Sequence, residues 1–292
     1  MADWGTLAGM KRTCFFHAGC PDGFGAAWAV WRAWRDEGRY IPRGHDDGLD
    51  ASQHEGELVV FVDIAPPNEA LRGLAELAAK LVVLDHHVTA RDRIAADLGV
   101  ENMLAGRDHH IHFDLEHSGA VLAWNHFHPD EPAPSLLRYV EEQDLWNWKL
   151  PHSEEVNAAI GSHPREFGVW DELAARPVEE LAAEGAPLVR ANRQEVMSAL
   201  DCVHPVSLGR QRAEAVNART QRASIGHELA KRAAFGAAWG VVYRISSERV
   251  DVSIYSVGDL DVSEVAERYG GGGHRNASGF SVSLEAWVRD FV

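Results

Sequence analysis

Leu81-Val82-Val83-Leu84-Asp85-His86-His87 is the stretch on which the reading of the fold turns. A short β-branched run that ends in three potential metal or acid/base ligands places them at the carboxyl end of a buried strand. Open α/β sheets hold ligands at that edge. Two other apolar runs end in the same way. Cys14-Phe15-Phe16 leads into His17 and then Asp22-Gly23, and Leu58-Val59-Val60-Phe61-Val62 leads into Asp63. A lone Asp or His at a strand end is ordinarily a cap or a surface hydrogen bond. Three such ends in the first third of the chain read instead as parts of one site.

Working outward, strand-like and helix-like segments alternate. Strand Thr13–Phe16 passes through a turn at Asp22-Gly23 into a helix over Gly25–Arg35. Strand Leu58–Val62 is followed by Pro66-Pro67, with Asn68 as N-cap of a helix over Glu69–Ala79. Strand Leu81–Leu84 comes next. This βαβ alternation predicts an α/β fold with a mostly parallel sheet and helices on both faces. Ser118 caps a helix start, Ser135–Gln143 reads as a helix ending near Asp144, and a helical region from Glu155 breaks at Pro164, Pro177 and Pro187. Beyond it, Ala238–Ile245 and Val250–Tyr255 read as two strands joined by a polar turn, Val262–Arg268 as a short helix, Gly270–Gly273 as a loop and Phe280-Ser281-Val282 as a closing strand. The expected division is a domain over 1–190 that carries the site, a linker region over 191–215, and a smaller mixed α/β domain over 216–292.

Composition bounds the function. The 28 basic and 44 acidic side chains of this 292-residue chain give a net charge of −16. That balance disfavours sequence-independent adhesion to long nucleic acid, which relies on Lys and Arg against phosphates; a small phosphate ester remains compatible. The 3 cysteines lack a CxxC pair, so neither a disulfide framework nor a structural zinc site is indicated. No apolar run reaches a membrane-span length and the first ten residues lack a signal-peptide core, so the expected location is cytoplasmic.

His17, Asp22, Asp63, His86 and Asp144 form the candidate metal constellation. Imidazole and carboxylate ligands suit manganese, iron, cobalt or zinc. A pair of divalent ions needs a bridging carboxylate, and Asp63, which ends the middle of the three strands in sequence, is the natural one. Cys20 is either a metal-adjacent thiol or a small buried residue, the second being the simpler reading. The second strong signal is Gly270-Gly271-Gly272-Gly273-His274-Arg275-Asn276, where glycines expose N–H groups to an anion and Arg275 offers a planar fork to phosphate. It lacks the Lys-Ser/Thr of a nucleotide P-loop. Asp108-His109-His110 follows no apolar strand and reads as a surface loop, and Trp28, Trp31 and Trp34 fit core packing on one helix face.

With these residues in view, the chain resembles the DHH phosphoesterases, in the branch with a DHH-associated C-terminal domain. The resemblance rests on His17 to Phe24, Phe61-Val62-Asp63, Leu84-Asp85-His86-His87, His117-Ser118-Gly119-Ala120, Asp144-Leu145-Trp146 and Gly271 to Gly279, in the family's order over nearly the whole chain. It implies a Rossmann-like domain with two manganese ions (magnesium or cobalt as alternatives) and a small domain that covers the cleft and binds substrate. One ion would take His17 and Asp63, the other Asp22, Asp63, His86 and Asp144. His87, with Asp85 beside it, would serve the scissile phosphate or leaving oxygen, and Gly272, Gly273, His274, Arg275 and Asn276 would lie in the substrate loop. Two departures stand out. Cys20 occupies a slot that often holds Asp, leaving the ion at His17 held more weakly or completed by water, and Glu142 competes with Asp144 for the fourth motif.

The expected activity is a manganese-dependent phosphodiesterase or phosphatase, with a hydroxide between the ions attacking phosphorus. The expected substrates are cyclic mono- or dinucleotides, very short oligonucleotides or nucleoside bisphosphates. No long duplex and no membrane is expected as partner, and the oligomeric state, monomer or homodimer, is left open. The rivals are a single-strand exonuclease, an inorganic pyrophosphatase, and a nucleotide sensor weakened at Cys20.

Overall fold

The computed structural model describes residues 9–44, 47–104 and 107–292. Two compact units divide the chain, Met1–Leu188 and Val189–Val292, and the fold is α/β.

In the first unit the strands are β1 (Arg12–His17), β2 (Gly38–Arg43), β3 (Leu58–Val62), β4 (Lys80–Asp85) and β5 (His110–Phe113). The helices are α1 (Pro21–Trp34), α2 (Asn68–Leu77), α3 (Val88–Ala95), α4 (Leu98–Leu104), α5 (Gly119–Phe127), α6 (Ser135–Asp144), α7 (Ser153–Ser162), α8 (Phe167–Ala175) and α9 (Val178–Leu200). The strands form one sheet in the order β2-β1-β3-β4-β5, every pairing parallel. All carboxyl ends therefore share one edge.

Both faces of the sheet are covered, which is why β3 and β4 are continuous apolar runs rather than alternating ones. Cys14, Phe16, Val60, Val62, Val82 and Leu84 face a core shared with α1, α5, α6 and α7. Phe15, Val59, Phe61, Leu81 and Val83 face the opposite core with Leu71 and Leu74 of α2.

Several expectations change at the element ends. Cys20 is the N-cap of α1, and Asp22 lies in the first helical turn, so Asp22-Gly23 is helix onset and not a preceding turn. Asn68 is inside α2, with Pro67 at the cap position. The edge strands β2 and β5 were not visible as apolar runs; β2 carries Pro42, which an edge tolerates. Asp108-His109-His110 is not a loop throughout, because His110 opens β5 and the His109 ring is held by Leu81 N and Ala75 O. Pro187 does not break α9.

The second unit holds β6 (His204–Leu208), β7 (Gln211–Asn217), α10 (Arg222–Arg232), β8 (Trp239–Ser246), β9 (Arg249–Ser256), α11 (Ser263–Glu267), β10 (Gly272–His274), β11 (Ala277–Ser283) and α12 (Leu284–Asp290). Its mixed sheet runs β10-β11-β9-β8-β7-β6, with β7 and β8 parallel across α10. Val241, Val252, Phe280 and Trp287 sit in one core, and Val216, Ile225, Leu229 and Val242 in another with Val196 and Leu200. Residues 191–215, expected as a linker, are instead the end of α9, β6 and most of β7. Gly272-Gly273-His274, expected as loop, is a strand paired with β11.

Trp28 carries much of the first core. It is fully buried, stacks on Trp124 at 5.6 Å and donates from Nε1 to Asp171 at 3.0 Å. Trp28→Ala is expected to cost about 3–5 kcal/mol, whereas Val288→Ala, on an exposed position of α12, should stay within about 0.5 kcal/mol. Urea unfolding midpoints compare the two.

Candidate dinuclear metal centre

The site is built at the shared carboxyl edge. His17 is the last residue of β1, Asp63 follows β3 directly, and Asp85 ends β4 with His86 and His87 next. Asp63 adopts a left-handed backbone, φ 57°, a region that Asp enters more readily than most residues. Its N–H is tied to Leu84 O at 2.9 Å.

The two oxygens of the Asp63 carboxylate face different partners. Oδ2 lies 3.3 Å from His17 Nδ1 and 3.5 Å from Cys20 Sγ. Oδ1 accepts from His86 Nε2 at 3.0 Å. That same nitrogen lies 3.7 Å from Asp22 Oδ2 and 3.5 Å from Asp144 Oδ2. Five side chains named from sequence as metal ligands thus come together, from the ends of β1, β3 and β4, the start of α1 and the end of α6.

Local packing fixes the remaining members. Asp22 is buried and accepts from the N–H groups of Gly119 (2.7 Å) and Ala120 (3.1 Å) at the N-terminus of α5. Negative charge is favoured there. Ser118 caps that helix through Val121 N. Gly119 must be glycine because a Cβ would overlap Cβ of Asp63 and lie 2.8 Å from its Cα. Gly23 is likewise required, since a Cβ there would overlap the carbonyl oxygen of His17. The α5 amides had no role assigned from sequence; the signal was the Ser118 cap followed by a glycine. Glu142 settles apart from Asp144, as its carboxylate accepts from the N–H groups of Lys149 and Leu150.

Asp22, Asp63 and Asp144 crowd one pocket, and their titration reflects it. Burial, then the charges of Asp63 and Asp144, push the Asp22 carboxyl well above its usual range. Burial, tempered by His86, raises Asp144. Asp63 is held low: burial opposes its charge, but hydrogen bonds from His17 and His86 prevail. For His86, burial again opposes the charge, yet Asp63, Asp144 and Asp22 lift it to about 10. His86 is a basic group set among these carboxylates, and a divalent cation would bring more positive charge to the same pocket. The nitrogen and oxygen donors around it fit such an ion.

His87 and Asp85 form a close pair beside Asp63, with one ligand atom from each of the three within 4.8 Å of the others. His87 Nδ1 lies 2.7 Å from Asp85 Oδ1, which also accepts from the N–H groups of His86 and His87. The His87 ring meets His17 edge-on at 5.8 Å between centroids. The Asp85 contact at Nδ1 fixes the orientation of the His87 ring.

In the second unit Gly272, Gly273 and His274 pair with Gly279, Ser278 and Ala277. Arg275 and Asn276 form the turn of that hairpin. Arg275 donates to Asp259 O at 2.7 Å with its side chain 55% exposed. Asn276 donates to Ser256 Oγ and Gly258 O, so its amide braces its own unit. Cys20, read as a buried residue, instead faces His17 and Asp63.

Comparison with known proteins gives three findings. Residues 216–292 match the DHHA1 domain. An uncharacterized protein of Acanthamoeba polyphaga mimivirus is 26% identical over 294 residues, covering 92% of this chain; the chain spans 66% of that protein's length. Among solved structures, a pGpG-specific phosphodiesterase from Vibrio cholerae aligns at 13% identity and TM-score 0.46, over 96% of each chain. An exopolyphosphatase-related protein from Bacteroides fragilis aligns at 11% identity and TM-score 0.48, over 93% of this chain and 86% of that one. No helix among the described residues is long and apolar enough to cross a membrane.

Gly119→Ala tests the packing against Asp63. It should cost about 1–3 kcal/mol as overpacking and weaken divalent-metal affinity by about 10–100-fold. Thermal melts and isothermal titration with manganese report the two effects.

Proposed function

We propose that this protein, whose residues 216–292 match the DHHA1 domain, is a manganese-dependent phosphodiesterase or phosphatase of small nucleotides. Cyclic mono- or dinucleotides, very short oligonucleotides and nucleoside bisphosphates are the substrate class. The observation that carries this reading is the split of the Asp63 carboxylate, with Oδ2 towards His17 and Oδ1 towards His86. A carboxylate so placed can bridge two cations.

His17 and Asp63 would hold one ion, and Asp22, Asp63, His86 and Asp144 the other. When bound, the ions supply a nucleophile at neutral pH and neutralise charge on the phosphoryl oxygens. The chain's own residues do the rest. The α5 amides fix Asp22, and Asp85 fixes the His87 ring so that Nε2 can pass a proton to the leaving oxygen. In the DHHA1 domain, the glycine hairpin and Arg275 are assigned to the substrate phosphate; Arg275 would leave Asp259 to do so. The net charge of −16 favours short substrates over long polyanions.

The test is a panel of cyclic and short linear nucleotides incubated with manganese, with products resolved by chromatography. Turnover of small substrates, lost on adding chelator, is expected. Equal degradation of long single strands would replace this reading with an exonuclease, and binding without turnover would replace it with a sensor. Asp63→Ala should abolish both turnover and metal binding. His87→Ala should lower kcat by about 10²–10⁴-fold at unchanged metal stoichiometry; loss of an ion would move His87 into the ligand set.

A further inference from the structure

Cys20 stands where the family resemblance expects a carboxylate, and its position is specific. As N-cap of α1, with φ −113° and ψ 157°, it accepts from Gly23 N through Sγ at 3.2 Å. The sulfur is thereby aimed at the end of β1. It lies 3.4 Å from His17 Nδ1 and 3.5 Å from Asp63 Oδ2, and those two atoms are 3.3 Å apart. The three donors form a nearly equilateral triangle.

That triangle has a chemical meaning. Thiolate, imidazole and carboxylate donors bind zinc at about 2.0–2.3 Å in tetrahedral array. Donors at such lengths around one tetrahedral ion stand about 3.5 Å from each other. The observed edges of 3.3, 3.4 and 3.5 Å are the three sides of one such face. The neighbouring group, Asp22, His86 and Asp144, contains only oxygen and nitrogen donors.

We propose that Cys20 is a thiolate ligand of the ion held by His17 and Asp63, so that the centre is asymmetric. The sulfur-containing position selects a borderline-soft ion of the zinc, iron(II) or cobalt(II) class. The all-oxygen-and-nitrogen position remains suited to manganese or magnesium. This inference rests on the dinuclear reading above and refines which ion each half takes. Binding is a proton exchange: the Cys20 S–H bond breaks, the proton goes to solvent, and the sulfur's electron pair forms the bond to the ion.

Cobalt(II) titration of the full-length protein tests this directly. The expected result is two bound ions and a near-ultraviolet thiolate-to-cobalt charge-transfer band that saturates with one of them. Cys202→Ser, at an exposed thiol, should retain the band. Cys20→Asp should keep two ions, lose the band, and shift the ratio of zinc to manganese affinity towards manganese by at least about tenfold. Circular dichroism verifies the fold of each variant. Two cobalt ions in the parent protein without the band overturns the Cys20 assignment and leaves the dinuclear centre standing. Absence of any bound ion overturns both.

Discussion

The structure depends on a carboxylate shared between two sides of one cavity. Asp63 leaves β3 in a left-handed conformation and presents one oxygen to His17 and Cys20 and the other to His86. Buried charge is costly unless it is paired. Asp22, Asp63 and Asp144 meet in this pocket, with His86 as their near counter-charge. Bound cations would offset that cost. On the dinuclear reading, metal affinity and folding stability would be coupled, as they are wherever an ion binds the native state alone.

The rest of the first unit serves that arrangement. A parallel sheet buried on both faces delivers three strand ends to one edge with little freedom to shift, because a slip of one residue would turn every apolar side chain to the wrong core. The N-terminus of α5 reaches the same edge and holds Asp22 from 97 residues away along the chain. Gly119 and Gly23 are the clearances that permit these approaches. Asp85 has a different duty. It collects two backbone amides and the His87 ring, and so orients His87 beside Asp63.

Much of this was legible in the sequence where burial was complete. The run Leu58–Val62 marks β3 to the residue, since every position in it is buried. The runs before His17 and Asp85 marked β1 and β4 to within one or two residues at each end. Edge strands were illegible for the same physical reason: β2 and β5 have one side open, and Gly-Arg-Tyr-Ile-Pro-Arg and His-Ile-His-Phe carry polar residues or proline. Proline misled in α9, where burial of Leu181, Ala182 and Val189 around Pro187 outweighs the lost hydrogen bond. The choice between Glu142 and Asp144 needed the fold, because two carboxylates two residues apart differ only in which way the end of α6 turns them. Cys20 also needed it: residue type speaks for burial, but the direction of the thiol is set by the cap of α1.

The most direct measurement is anomalous diffraction from crystals loaded with a divalent transition metal. A dinuclear centre gives two peaks about 3.5–4 Å apart, one on either side of the Asp63 carboxylate. A single peak, or two peaks that do not share Asp63, would contradict it.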